Sequence, residues 1–182
     1  MDWRLAAPLD SESSNDRRRA QEALAGDEGA TALFEAHRRE VYRVARAVTG
    51  DHEAARDAVQ ETFLKVFRGL PRWRGDSSLR TWIVRIAVRT AIDQRRRSSR
   101  HALATNPSQE PSHDPRAQLD EAVALRHVQG LAESLDGRQG LILRLRLLGG
   151  LDNQEVAEAL GLREPNVRMQ LTKAIRRLRE KL

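Results

Sequence analysis

The sequence predicts an all-α protein of two small helical domains joined by a flexible linker. Three observations carry this. Ala, Leu, Arg and Glu dominate and aromatic residues make up only 4%, a composition that favours helices, and strand-type alternation is rare. Apolar residues recur at spacings of three and four over most of the chain. Residues 99–118, SSRHALATNPSQEPSHDPRA, break that pattern with Pro107, Pro111 and Pro115, each of which removes a backbone donor and disfavours helix before it. A length of 182 residues suits one large domain or two small ones. The expected division is a disordered tail over 1–16, polar and without an apolar period, a helical domain over 17–98, a flexible linker over 99–118 and a second helical domain over 119–182.

Within the first domain, Gly26-Asp27 and Gly50-Asp51 are turn signals. Leu33, His37, Val41, Val44 and Val48 line one face of a helix. Ala55, Ala58, Val59, Thr62, Phe63, Val66 and Phe67 line a second, and Leu79, Trp82, Ile83, Ile86, Ala87 and Thr90 a third. Helical periodicity resumes at Leu119 and runs to Leu182, interrupted near Asp136-Gly137, at Gly149-Gly150 and at Gly161.

The formal net charge of +6 fits a nucleic-acid partner, an anionic membrane surface or an acidic protein, and charge alone does not choose. The absence of cysteine excludes disulfides, thiolate metal sites and a cysteine nucleophile. No apolar run approaches the roughly 20 residues that cross a bilayer, and the N-terminal MDWRLAAPLDSESSND has no apolar signal core. A cytoplasmic protein without membrane insertion is therefore expected. His37, His52, His101, His113 and His127 are scattered. They form no HExxH pair or triad-like group, and no phosphate-cradling glycine loop occurs, so no catalytic residue, metal or cofactor is expected.

The segment LDNQEVAEALGLREPNVRMQLTKAIRRL has the pattern of a helix-turn-helix. Val156, Ala157 and Leu160 give a short helix its buried side, with Ala157 small where two helices approach. Gly161 stands where a tight reversal needs positive φ, Leu162 fills the corner, and Pro165 suits the first position of the next helix. Val167, Leu171, Ala174 and Leu178 line that helix's inner side. Asn166, Arg168, Gln170, Lys173 and Arg177, with Arg163 before them, supply the side-chain types that read base edges and hold phosphates. This predicts a basic helix in the major groove, without saying which regulator class uses it. A response regulator would add an α/β receiver, and the first hundred residues show no such strands.

In the first domain, Asp57, Gln60, Glu61, Lys65 and Arg68 project from the second helix face, with Leu64 on the margin. An acidic surface with an exposed leucine suits a protein partner, but on these residues alone a solvated face is the more ordinary reading. The third helix is strongly basic through Arg80, Arg85, Arg89 and Arg95-Arg96-Arg97, and is preceded by GLPRWRGDSS with Trp73 and Arg74. Aromatic rings interleaved with arginines fit single-stranded nucleic acid. The spacing of Trp82 also fits the core, and Trp73 could pack over the helix ends.

The stretch AARDAVQETFLKVFRGLPRWRGDSSLRTWIVRIAVRTAIDQRRR resembles region 2 of the bacterial extracytoplasmic-function (ECF, group IV) RNA polymerase sigma factors, including Asp57, Gln60, Glu61, Phe63, Gly75, Trp82, Ile86, Ala87, Asp93 and Arg96. GDEGATALFEAHRREVYRVA is similar to the family's opening helix, and LGLREPNVRMQLTKAIRRLREKL resembles region 4. The resemblance covers about residues 20–98 and 119–182. It implies that region 2 docks on the clamp coiled-coil of the polymerase largest subunit through Asp57, Gln60, Glu61 and Leu64. It further implies −10 contacts from Trp73, Arg74, Gly75, Arg80, Arg85 and Arg89, with the loop from about Leu70 to Ser78 capturing non-template bases. Region 4 would read the −35 element as duplex through Arg163, Asn166, Arg168, Gln170, Lys173 and Arg177 and contact the polymerase flap. An anti-sigma partner is also implied. The chain departs from the family pattern at Arg56, at Arg89 where Asn is frequent, and at Pro165-Asn166 where Gly-Thr is common.

Overall fold

A computed structural model describes residues 9–104, 130, 135 and 137–180, with side chains from residue 13 and, in the fourth helix, as far as residue 98. The helices are α1 (Leu9–Ala25), α2 (Asp27–Thr49), α3 (His52–Gly69), a 3-10 turn (Leu70–Arg72), α4 (Leu79–Ala104), α5 (Gly137–Leu147), α6 (Asn153–Leu160) and α7 (Glu164–Arg179).

Two boundaries differ from the sequence expectation. The disordered reading of 1–16 is corrected from Leu9 onward, because α1 starts there. Its apolar content is sparse, but Ala20 and Ala23 bury against the bundle, and that tertiary contact sustains a helix whose own face is weak. The flexible reading of 99–118 is corrected at its start, since α4 runs to Ala104. Arg and Ala carry a helix well, and the first proline comes only at 107. The rest of the expected linker, the start of the second domain to 129 and residues 1–8 lie outside the described residues.

The predicted helix faces pack as the first core. Leu33, His37, Val41, Val44 and Val48 of α2 are buried, as are Ala55, Ala58, Thr62, Phe63 and Val66 of α3 and Leu79, Ile83, Ala87 and Thr90 of α4. α2, α3 and α4 pack on one another, and α1 covers α2. Asp27 and Glu28 in the first turn of α2 and Arg46 in its last match the sign of the helix dipole. Asp51 caps α3, its carboxylate accepting the Ala54 N–H at 2.8 Å.

The second domain is smaller. Asp152 and Glu155 form a capping box at the start of α6. At its end Leu162 N–H donates to Ala157 O at 2.8 Å and Gly161 N–H to Glu158 O at 3.4 Å, the bond pattern of a Schellman close. Gly161 takes φ 66, a left-handed conformation that any Cβ would strain. Pro165 lies in the first turn of α7, where no intrahelical donor is lost. Leu135, Leu143 and Ala174 form a local cluster with Leu171 and Leu178 at its edge. Ile142, Leu145, Leu151, Val156 and Val167 instead join the cluster that contains the first domain's core. The two domains meet where α5 approaches α2 and α6 approaches α4, and Arg43 Nε donates to Gly149 O at 3.0 Å across the seam.

Candidate nucleic-acid interface and docking face

The outer face of α3 carries Asp57, Gln60 and Leu64 exposed and Glu61 half-buried. The leucine is 55% exposed, a large apolar side chain left more than half open to solvent. The acidic groups beside it are not bare. Glu61 pairs with Lys65 at 2.9 Å and with Arg97 of α4 at 3.2 Å. The hydrogen bond from Lys65 and these cations hold its carboxyl below the usual range, against a smaller opposing effect of burial. Gln94 of α4 donates to Asp57 at 3.4 Å. The docking-type face is therefore a mixed patch, in which α4 supplies one cation, Arg97, to Glu61 and one neutral amide, Gln94, to Asp57.

The loop before α4 leaves the 3-10 turn at Trp73. Its ring packs against the core, half-buried, while the indole Nε1 is enclosed without an acceptor. Arg74 is exposed, and Gly75 has φ 80. Trp82 lies over Gly69, where a Cβ would meet the indole ring at 3.0 Å, which settles its place at the rim of the core. The three arginines of α4 expected to meet the −10 strand, Arg80, Arg85 and Arg89, do not share a face. At about 100° per residue, Arg85 and Arg89 lie roughly 140–180° around the helix from Arg80. Arg89 is exposed, and Arg85 lines a surface cavity with Asp76, Ser78, Thr81 and Glu158. Arg80 turns to the seam, where its guanidinium donates to both Glu40 of α2 and Glu155 of α6. Burial works against its charge, and the two carboxylates more than offset that, leaving its pKa raised.

On α7, Val167 and Ala174 are buried and Leu171 and Leu178 partly so, which matches the predicted inner side. Arg163, Asn166, Arg168 and Lys173 are exposed. Gln170 and Arg177 are drawn toward α5. Gln139 donates to Gln170 at 2.9 Å and accepts from Arg177 at 2.7 Å. By helical spacing Asn166, Gln170, Lys173 and Arg177 form one stripe, while Arg168 lies on the far side of the helix and pairs with Glu164 at 2.6 Å. Sequence reasoning missed Arg176 and Arg179, exposed cations of the last turn, although the run RRLR announced them. It also missed Gln139, for which a residue so distant in sequence gave no signal. Among the described residues no group of His, Asp or Glu could hold a metal ion, and no helix is long and apolar enough to cross a membrane.

A helical bundle is thus followed by a capped helix-turn-helix, with a basic helix in each, the architecture of a protein that handles DNA at two places. Sigma-70 region 2 matches residues 33–101 and Sigma-70 region 4 matches residues 125–178. The chain is 31% identical over 156 residues to the ECF RNA polymerase sigma factor SigM of Mycobacterium tuberculosis, spanning 85% of this chain and 78% of that one. It is 28% identical over 152 residues to SigL of the same species, spanning 81% and 85%. The fold is also that of CnrH, solved in complex with the cytosolic domain of CnrY (TM-score 0.66, 22% identity, 91% of this chain and 95% of that one). The sigma factor RpoE, solved with the anti-sigma factor NepR from Bartonella quintana, shares it too (TM-score 0.64, 19% identity, 85% and 96%). The chain belongs to the ECF RNA polymerase sigma factors. It is thus a transcription initiation factor that directs promoter-specific initiation by RNA polymerase.

Proposed function

We propose that this chain is a cytoplasmic group IV sigma factor, not an enzyme, that divides promoter recognition between its two domains. The first domain, residues 17–98, docks on the clamp coiled-coil of core RNA polymerase and opens the −10 element. The second, residues 119–182, reads the −35 duplex and meets the flap. The observation that carries this reading is the pair of matches to region 2 and region 4 in order on one chain, each with an exposed basic helix surface. Asp57, Gln60, Glu61 and Leu64 are the core-binding residues. The exposure of Leu64 supports them, because a leucine left more than half open beside ion pairs gains by burial against a partner. Arg74, Gly75, Arg85 and Arg89 face the opened strand with backbone neutralisation as the main source of affinity, and Trp73 joins them through the part of its half-buried ring that lies outside the core. Arg80 belongs to this set once Glu40 and Glu155 release it. Arg163, Asn166, Gln170 and Arg177 read the −35 groove, Lys173 holds a phosphate beside them, and Arg168, paired with Glu164 on the far side of the helix, adds a weaker phosphate contact.

Unstacking a base costs a few kcal/mol, which contacts to the extruded base return. Tethering both domains to one polymerase raises the effective concentration of each on its element, so two modest contacts act together. An anti-sigma partner fits the same reading, since RpoE, which shares the fold, was solved with the anti-sigma factor NepR.

Run-off transcription with purified core polymerase on a pool of genomic promoter fragments tests the reading. Discrete transcripts dependent on this chain are expected, and Asp57→Lys should lower core affinity while the helical circular dichroism stays unchanged. A pool that yields no chain-dependent transcript, or unaltered core affinity of the charge-reversed variant, would sink the assignment it addresses.

A further inference from the structure

The loop from Trp73 to Ser78 hangs between two anchors, and α1 touches both of them: the 3-10 turn before it and α4 after it. The polar contacts are specific. Asp16 Oδ2 accepts the backbone N–H of Leu79 at 2.8 Å, across 63 residues of sequence. Leu79 is the first residue of α4 and its side chain is 1% exposed. Its N–H is one of those a helix start leaves without an intrahelical partner. The neighbouring Ser78 Oγ serves a different one, accepting from Thr81 N–H at 3.0 Å. The two caps are complementary, one local and one delivered by α1. A carboxylate at this end is also aligned with the helix dipole. One residue on, the guanidinium of Arg17 lies over Gly75, 3.7 Å from where a Cβ would stand.

α1 reaches this position because it folds back tightly on α2. At Gly29 a Cβ would come within 2.0 Å of Glu22 O, so only glycine lets the two helices pass this closely. Ala20 and Ala23 bury along the same contact.

We propose that Asp16 is a positioning residue for strand capture: by holding the Leu79 N–H it fixes where α4 begins, and so presents the Trp73–Ser78 loop to the opened DNA strand. The inference rests on the proposed role of that loop. α1 lies outside the region 2 match, which begins at residue 33.

The test uses holoenzyme assembled from the full chain and core polymerase. Two probes are needed: a fluorescent single-stranded DNA selected on wild-type holoenzyme from a random pool, and a duplex selected in the same way on the free chain. Asp16→Ala should weaken single-strand binding by about five-fold, the usual effect of losing a cap, and leave duplex and core affinity unchanged. Asp16→Asn, which keeps an acceptor oxygen in place, should recover most of the loss. Single-strand binding by Asp16→Ala at wild-type strength would overturn the inference. So would Asn as weak as Ala, or an equal loss of duplex binding. Wild-type holoenzyme that selects no single strand at all would fail the underlying reading of the loop instead.

Discussion

α4 and α7 are both basic helices assigned to DNA, yet they are held in opposite ways. α4 is embedded: Leu79, Ile83, Val84, Ala87, Val88 and Ala91 are buried, and it packs on α2, α3 and α6. α7 is mounted on the surface, with only Val167 and Ala174 buried, and leans on α5 and α6. A helix that helps to separate strands needs a rigid base, because any give in its support subtracts from the energy delivered to the DNA. A helix that inserts into an intact groove needs exposed area more than support, and its side chains can adapt to the bases they meet.

Truncation of the core is the strongest way to break this comparison. Ile83→Ala should destabilise the first domain by about 2–5 kcal/mol, whereas Val167→Ala, which removes less apolar volume, should cost about 1–2 kcal/mol. Urea unfolding of each variant checks both, and equal losses would show that the second domain depends on its core as heavily as the first. Surface substitutions on α7 should act on binding alone. Lys173→Ala should lower duplex affinity and reduce the slope of log affinity against log salt by about 1, the change expected from losing one phosphate contact. Arg168→Ala, on the other side of the helix and already paired with Glu164, should change the slope less. Salt titration of both variants sharpens which side of α7 faces the groove.

The smallest effect concerns pH. Burial lowers the pKa of His37 from 6.5, helped by Arg19 and Arg80 and opposed by Glu40 and Asp16. The folded state thus binds this proton less readily than the unfolded chain. Stability contributed by neutral His37 is present above 6.5, and is lost as pH falls from 6.5 toward the lower folded value. Thermal unfolding from pH 7.5 to 5 should show that decline, and His37→Phe should flatten it.

The helices and their inner faces were legible in the sequence because burial repeats every three or four residues, and such a period survives without tertiary information. His37 fell on the α2 face although it is polar, and it is buried there. The cap at Gly161 and the proline of α7 were legible because their backbone demands are local. Three features were not. α1 lacks an apolar stripe, and its helix depends on two alanines meeting α2. The pairing of Arg80 with Glu40 and Glu155 joins residues 40 and 75 positions apart, a distance over which charge pattern carries no register. Gln139, whose amide ties two of the predicted groove residues to α5, has the same origin. The candidate site was therefore readable as a set of side chains, but the division of that set between free and occupied members came only from the packed structure.

The two oxygens of Glu155 have separate duties. Oε2 accepts the Asp152 N–H at 2.7 Å within the capping box, and Oε1 takes Arg80 from the other domain. The seam and the reader are thus wired in parallel rather than in series. Pulling Arg80 away would cut one polar tie of the joint while the fastening that starts α6 stays closed, and the apolar residues shared across the seam would still hold the reading module to the opening module.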